Sequence, residues 1–356
     1  MTHKGTIILA PLGALYGAVM RARTALYKSG ALKVHRIDAT VISVGNITTG
    51  GTGKTPLVEW LARAVAHRSG KRVCILTRGY GRADERSRVL VSDGERLLAD
   101  AERGGDEPRL LAESLTGVAA VISDADRVAA ARWAIENLAS EVFILDDGFQ
   151  NLRTARDLDI VTVDATAPFG GGRMLPRGRL REPADELARA DVVIITRADQ
   201  ADDLDEQRRE IEQLSGGRPT FLSRARTRGL RPLSPTDTDA GAALYSSLPR
   251  TVAAFCAIGN AGAFFAHLKT DGQRLACTRA FPDHHVYTQS DVQTIEEQAR
   301  SLGAQALLTT AKDGVKLRAL KFDLPCFVVE IEIEIEEEDR LLGLIDEALL
   351  KKERPA

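Results

Sequence analysis

Val44-Gly45-Asn46-Ile47-Thr48-Thr49-Gly50-Gly51-Thr52-Gly53-Lys54-Thr55 is the stretch that decides the fold. Ahead of it Val41 to Val44 reads as a short apolar strand, and behind it Lys54 to His67 carries a helical pattern. A glycine-rich turn between a strand and a helix lets backbone N–H groups converge on phosphate oxygens. Lys54 then supplies charge at the β- and γ-phosphates, and the Thr55 hydroxyl is placed to ligate magnesium. Thr48, Thr49, Gly50, Gly51, Thr52, Gly53, Lys54 and Thr55 are therefore the expected nucleotide-binding residues. Thr48 stands where such loops usually begin with glycine, so this one is a variant.

A phosphate loop of this kind works with an acidic residue at the end of another strand. Ile144-Leu145-Asp146-Asp147-Gly148-Phe149-Gln150 supplies two adjacent carboxylates there. Side chains alternate along a strand, so Asp146 and Asp147 are expected to face different ways. One would reach the magnesium shell and the other would orient substrate or loop; the spacing leaves open which.

Outward from this core, short apolar segments alternate with helical ones. Arg72 to Leu76, Val142 to Leu145, Ile160 to Val163 and Val192 to Ile195 read as strands, and Asp126 to Leu138 and Asp202 to Leu214 as helices. The alternation predicts an α/β fold with a mostly parallel sheet sandwiched by helices, functional residues lying at the carboxyl ends of the strands. Arg231 to Pro249, rich in Pro, Ser, Thr and Asp, reads as a linker. Beyond it, strands at Val252 to Ala257, Ala306 to Leu308 and Cys326 to Ile333 and helices at Ala261 to Leu268, Ser290 to Leu302 and Arg340 to Leu350 suggest a second, smaller α/β lobe. The expected partition is 1–38, 39–225 and 226–356. No internal repeat is present, and the acidic alternation from Glu330 to Glu338 is the one biased tract.

The 356 residues carry a formal net charge of −2, so nothing global draws the chain to nucleic acid. Cys74, Cys256, Cys277 and Cys326 have neither metal-ligand nor disulfide-framework spacing and suit a reducing cytoplasm. The amino terminus departs from neutrality. It lacks acidic residues before Asp38, while Lys4, Arg21, Arg23, Lys28, Lys33 and Arg36 are basic. The apolar run Thr6 to Met20, interrupted by Pro11, is shorter than the ~20 residues a spanning helix needs. Leu15, Tyr16, Val19 and Met20 recur at helical spacing, the pattern of an amphipathic helix lying on an anionic membrane surface.

Further strings resemble one family, the tetraacyldisaccharide 4′-kinases of lipid A synthesis. Leu76-Thr77-Arg78-Gly79-Tyr80-Gly81-Arg82, Gly105-Asp106-Glu107-Pro108, Asp146 to Gln150, Leu180-Arg181-Glu182-Pro183, Phe281-Pro282-Asp283-His284-His285 and Thr310-Ala311-Lys312-Asp313-Gly314-Val315-Lys316 are similar to its signatures, in family order. Two positions depart from it: Asn151 stands where many members have histidine, and Gly314 where alanine is common. The resemblance implies an ATP- and Mg2+-dependent transferase that phosphorylates the 4′-hydroxyl of tetraacyldisaccharide 1-phosphate, giving lipid IVA. It also implies a peripheral enzyme at the cytoplasmic face of the inner membrane, with a glycolipid substrate and no obligate protein partner.

Within that resemblance Asp106 takes the role of base toward the acceptor hydroxyl, with His284 as its partner and Lys54 as the third catalytic group. Thr55, Asp146, Asp147 and Glu182 are the expected magnesium neighbours, Glu182 and Arg181 following the glycine-rich Phe169 to Arg173 stretch. Asn46, Arg78, Tyr80, Glu107 and Arg181 are expected toward substrate, since guanidinium groups bind phosphate in a fork and tyrosine offers an amphipathic face. Two other classes compete. Ile195-Thr196-Arg197-Ala198-Asp199 faintly echoes a guanine-reading loop, as in a GTPase or metallochaperone-like switch protein, and a dethiobiotin synthetase-like ligase would share the α/β pattern.

Overall fold

The computed structural model describes residues 3–233 and 251–351. In chain order the elements are α1 (His3–Lys28), β1 (Thr40–Asn46), α2 (Lys54–Ser69), β2 (Val73–Thr77), β3 (Val89–Ser92), α3 (Ala101–Gly104), α4 (Asp106–Ser114), β4 (Ala119–Ser123), α5 (Arg127–Leu138), β5 (Val142–Asp146) and β6 (Leu158–Asp164). They continue with β7 (Val192–Thr196), α6 (Leu204–Leu214), β8 (Thr220–Pro232), β9 (Thr251–Cys256), α7 (Ala261–Thr270), β10 (Arg274–Ala280), α8 (Gln289–Ser301), β11 (Leu307–Thr310), α9 (Ala311–Leu317), β12 (Cys326–Ile335) and α10 (Glu338–Lys351). Two compact units result: the chain up to Arg224 together with everything from Ile335 onward, and Ala225–Glu334.

In the first unit the strands lie in the order β8, β7, β6, β1, β5, β2, β4, β3. All neighbours among them run parallel except the edge strand β3, which is antiparallel to β4. Every position of β1, β2, β4, β5, β6 and β7 is buried, as a parallel sheet covered on both faces requires. The α/β expectation holds. Ala120 and Ile122 of β4 pack with Val41, Leu76, Phe143 and the alanines of α5, while Val161, Val163, Val193 and Ile195 pack with Ile47, Phe149 and Ile211.

α2 shows how locally the site is built. Leu57, Leu61 and Val65, flanked by Val58 and Ala62, repeat at helical spacing and are fully buried. Each large side chain so buried contributes roughly 1.5–3 kcal/mol, and Leu61→Ala would cost about 2–5 kcal/mol. The helix starts from Gly53 at φ 77, left-handed backbone that glycine adopts without penalty, so its first N–H groups point back into the turn.

α10 joins the first unit, whereas the sequence pattern groups 226–356 into one lobe. The reason is packing: Leu341, Ile345 and Leu349 form a buried stripe, and polar contacts add Trp60 Nε1 donating to Glu338 at 2.8 Å and an Arg68–Asp346 pair. In the second unit β10, β9, β11 and β12 run parallel, with β8 beside β12. The acidic alternation is explained here, Glu330 pairing with Arg231 at 3.2 Å and Glu334 with Arg226 at 3.8 Å along the facing strand. Of the predicted linker, Arg231 and Pro232 end β8; the segment 234–250 lies outside the described residues.

α1 docks on the first unit through its small residues. Gly13 and Gly17 are buried against Met174, Arg23 donates to the Gln150 carbonyl at 2.9 Å, and Arg189 donates to Thr24 at 3.2 Å. Tyr16 and Met20 are consequently half-buried, and the outward stripe is Leu12, Leu15, Val19 and Leu26. This shifts the apolar face by about one residue from the sequence expectation. Among the described residues no helix is long and apolar enough to cross a membrane.

Candidate active site

The phosphate loop is held from outside and from beneath. Arg179 donates through Nε and Nη2 to the Thr49 carbonyl at 3.0 and 2.7 Å, and Thr49 N donates back to the Arg179 carbonyl at 2.7 Å. Arg197 reaches the Gly51 carbonyl at 2.9 Å while paired with Asp164 at 2.5 Å, and Thr196 Oγ1 donates to the Thr52 carbonyl at 2.9 Å. Bonds to the carbonyls of Thr48, Thr49, Gly51 and Thr52 thus fix the loop's backbone, and a glycine-rich turn so held suits anion binding. Thr196 and Arg197 thus brace the loop and do not form a guanine-reading surface.

Asn46 supports the turn from below: its fully buried side chain donates to the Thr48 carbonyl at 2.8 Å and to Thr52 Oγ1 at 3.0 Å. Thr48, for its part, is buried and bridges to Leu180.

Asp146 and Asp147 sit together at the end of β5 but are polarised in opposite directions. Asp147, in left-handed backbone at φ 54, lies 3.4 Å from Lys54 and takes both oxygens to Arg181 at 2.8 and 2.9 Å. Burial would raise its pKa, yet Lys54 and Arg181 hold it at about 2. Asp146 is pushed up to about 7, first by burial and then by the neighbouring carboxylates of Glu107 and Asp147. A buried carboxylate at the end of β5, with the hydroxyl of Thr55 in the first turn of α2, is a fitting donor set for a divalent cation. Among the described residues no three His, Cys, Asp or Glu side chains cluster to hold a metal by themselves, so phosphate oxygens and water would complete the shell.

Glu182 is held by its own partners at the base of the site. It is fully buried, pairs with Arg189 at 2.9 Å and accepts from Gln150 Nε2 at 3.2 Å. Arg189 in turn lies over the Phe149 ring, 4.2 Å from its centroid. Glu182 is therefore a buried anchor beneath the Asp146–Gln150 turn.

The Gly-Asp-Glu-Pro string opens α4, with Gly105 as its cap and Asp106 and Glu107 in the first turn. Gly79 and Gly105 touch backbone to backbone: a Cβ on Gly105 would come 3.2 Å from the Gly79 Cα, and one on Gly79 would lie 2.9 Å from the Gly104 carbonyl oxygen. This contact seats Arg78 and Tyr80 beside the Asp106 turn. Arg78 donates to the Tyr80 hydroxyl at 3.2 Å and its guanidinium lies 4.8 Å from that ring's centroid. Lys54, Thr55, Arg78, Tyr80, Asp106, Glu107, Asp146, Asp147 and Arg181 all belong to the first unit.

His284 belongs to the second unit, at φ 62 on an exposed loop between β10 and α8. Its N–H donates to Asp283 Oδ1 at 3.0 Å and its Nε2 lies 3.9 Å from the same oxygen.

Sequence reasoning missed Arg127, Arg179, Arg197 and Arg189. Arg127, at the start of α5, is almost fully buried; burial lowers its pKa, opposed by attraction to Asp146 and Asp147. The signal was β4: Ala119-Ala120-Val121-Ile122-Ser123 is an apolar strand whose carboxyl end delivers the α5 amino terminus to the site.

Three comparisons bear on this geometry. A family model described as tetraacyldisaccharide-1-P 4′-kinase (LpxK) matches residues 5–350. The tetraacyldisaccharide 4′-kinase of Geobacter metallireducens is 42% identical over 310 residues, covering 87% of this chain and 88% of that protein. That of an Anaeromyxobacter species is 40% identical over 357 residues, covering 97% and 93%. The crystal structure of LpxK from Aquifex aeolicus in complex with ATP superposes with a TM-score of 0.74 at 32% identity, covering 97% of this chain and 99% of that one.

Proposed function

Because the chain belongs to the tetraacyldisaccharide-1-P 4′-kinase family, we propose a division of labour among its residues in which the first unit holds the nucleotide and Asp106 receives the acceptor's proton. The protein is an ATP-dependent kinase of lipid A biosynthesis. With the family assigned, the switch-protein and ligase alternatives fall.

In the reaction the 4′-hydroxyl oxygen of tetraacyldisaccharide 1-phosphate forms a bond to the γ-phosphorus. The bond from that phosphorus to the β–γ bridging oxygen breaks, ADP leaves with the electron pair, and the hydroxyl proton passes to the Asp106 carboxylate. Lys54 neutralises the transferring phosphoryl group, and Arg181, aligned by its two bonds to Asp147, stands ready to do the same. Thr55 and Asp146 would hold magnesium, which would offset the charge of the phosphate groups. Arg78 and Tyr80 receive the glycolipid, and His284, as the family resemblance implies, assists the proton transfer. One observation carries this reading: the phosphate-loop lysine and the arginine of the Leu-Arg-Glu-Pro string meet on one carboxylate at the end of β5, Lys54 at 3.4 Å and Arg181 at 2.8 Å from Asp147.

The acceptor's acyl chains stay in a bilayer, and α1 supplies a matching surface: an outward stripe of Leu12, Leu15, Val19 and Leu26 near exposed Arg21 and Lys28. The enzyme works from the cytoplasmic face of the inner membrane.

The test incubates purified protein and magnesium with γ-labelled ATP and tetraacyldisaccharide 1-phosphate in detergent. Wild type labels the lipid, and Asp106→Ala lowers the rate by roughly two to four orders of magnitude, the usual contribution of a positioned base. Transfer unaffected by that substitution would discard Asp106 as base.

A further inference from the structure

The second unit carries a signature, Thr310 to Lys316, that the chemistry above leaves unused. Three of its side chains converge on the His284 loop. Lys312 Nζ lies 3.1 Å from Asp283 Oδ1, the atom that also accepts the His284 N–H at 3.0 Å. Asp313, fully buried, accepts from the Tyr287 hydroxyl at 3.0 Å. Lys316 Nζ donates to the His285 carbonyl at 3.4 Å. Asp313 is itself fixed, accepting from Ala257 N at 3.1 Å and from Thr310 Oγ1 at 2.6 Å, so its position is dictated by the ends of β9 and β11. Phe281 stacks on the His285 ring with centroids 4.6 Å apart and meets Tyr287 edge-on at 5.2 Å.

His284 therefore sits in an exposed turn with left-handed backbone, a conformation that a non-glycine residue keeps where its surroundings impose it. The contacts flank His284 on both sides, at Asp283 and at His285 and Tyr287. They are spaced along one helical face, positions 312, 313 and 316 of α9. We propose that Lys312, Asp313 and Lys316 form a clamp that fixes the conformation of the 281–287 loop and with it the position of the His284 side chain within the second unit, acting as positioning residues. This rests on the reading that His284 takes part in phosphoryl transfer.

Misplacing a reacting group by about 1 Å costs up to 100-fold in rate. A double-mutant cycle in the full-length enzyme separates clamp from histidine. Tyr287→Phe, which keeps the ring and removes the hydroxyl, and Lys312→Ala are each expected to lower kcat roughly tenfold in the wild-type background. ATP KM should not change. In the His284→Ala background neither should lower kcat further, and Lys312→Arg should restore most of the Lys312→Ala loss. Equal losses in both backgrounds, or full activity of both clamp variants, would overturn the clamp while leaving His284 in place. If His284→Ala alone keeps wild-type kcat, the underlying reading fails instead. Circular dichroism and thermal unfolding of each variant identify a loss caused by unfolding, and a variant with native Tm but unreduced kcat counts against the clamp.

Discussion

The phosphate loop of the first unit and the His284 loop of the second solve the same problem, holding reactive groups still, by different means. The phosphate loop is fixed through its backbone: Arg179, Arg197 and Thr196 fill its carbonyls, Asn46 supports it from below, and buried strands fan out on either side. The His284 loop is exposed and is fixed through side chains reaching across from one helix. A triphosphate presents the same anion each time, so a rigid cradle suits it. Side-chain contacts on an exposed loop are worth little individually and depend on one another. The difference predicts that damage to the first region abolishes nucleotide use, whereas damage to the second lowers turnover by degrees.

Lys54→Ala gives the largest expected effect. Loss of that charge should reduce lipid phosphorylation by about 100- to 1000-fold with native thermal stability, measured by label transfer at saturating acceptor. Retained activity would break the comparison at its stronger end. Arg179→Ala removes two donors from the Thr49 carbonyl and should raise the KM for ATP about tenfold, with KM for the lipid unchanged.

Asp146 sharpens the contrast through stability. Its pKa in the folded protein is about 7 against an ordinary 3.8, so the folded state holds the proton more tightly than the unfolded chain. Ionising it therefore costs stability, fully above pH 7, and the cost vanishes as pH falls toward 4. In metal-free protein Asp146→Asn should be more stable than wild type at pH 8, by on the order of a few kcal/mol since a tenfold change in proton affinity corresponds to about 1.4 kcal/mol. The gap in Tm should close by pH 4 to 5, and an Asn variant no more stable at pH 8 would contradict the assignment. The smallest catalytic effect belongs to α1: Leu15→Glu with Val19→Glu should weaken sedimentation with anionic vesicles severalfold while activity on detergent-dispersed acceptor changes less than twofold.

What could be read in the sequence follows the same division. The buried parallel strands and the phosphate loop are local patterns, and Val44 to Thr55 with Asp146-Asp147 was sufficient to place them. The partners of Glu182 and Asn46 were not legible, because the Arg189 ion pair and the bonds from Asn46 to the loop above it arise only on folding, which no spacing rule foretells. β8 was overlooked because Arg224, Arg226 and Arg228 make it look like a polar loop, and the acidic partners of two of them lie far along the chain, Glu334 in β12 and Glu336 just after it. α10 could not be assigned to the first unit from a stripe that shows only that the helix buries one face.

The most direct measurement combines ATP affinity with the single-turnover rate of lipid phosphorylation in His284→Ala. With nucleotide held by the phosphate loop as proposed, an ATP Kd within twofold of wild type and a transfer rate lowered about 10- to 100-fold are expected. A wild-type transfer rate, or a loss of ATP affinity as large as the loss of rate, would contradict the proposal.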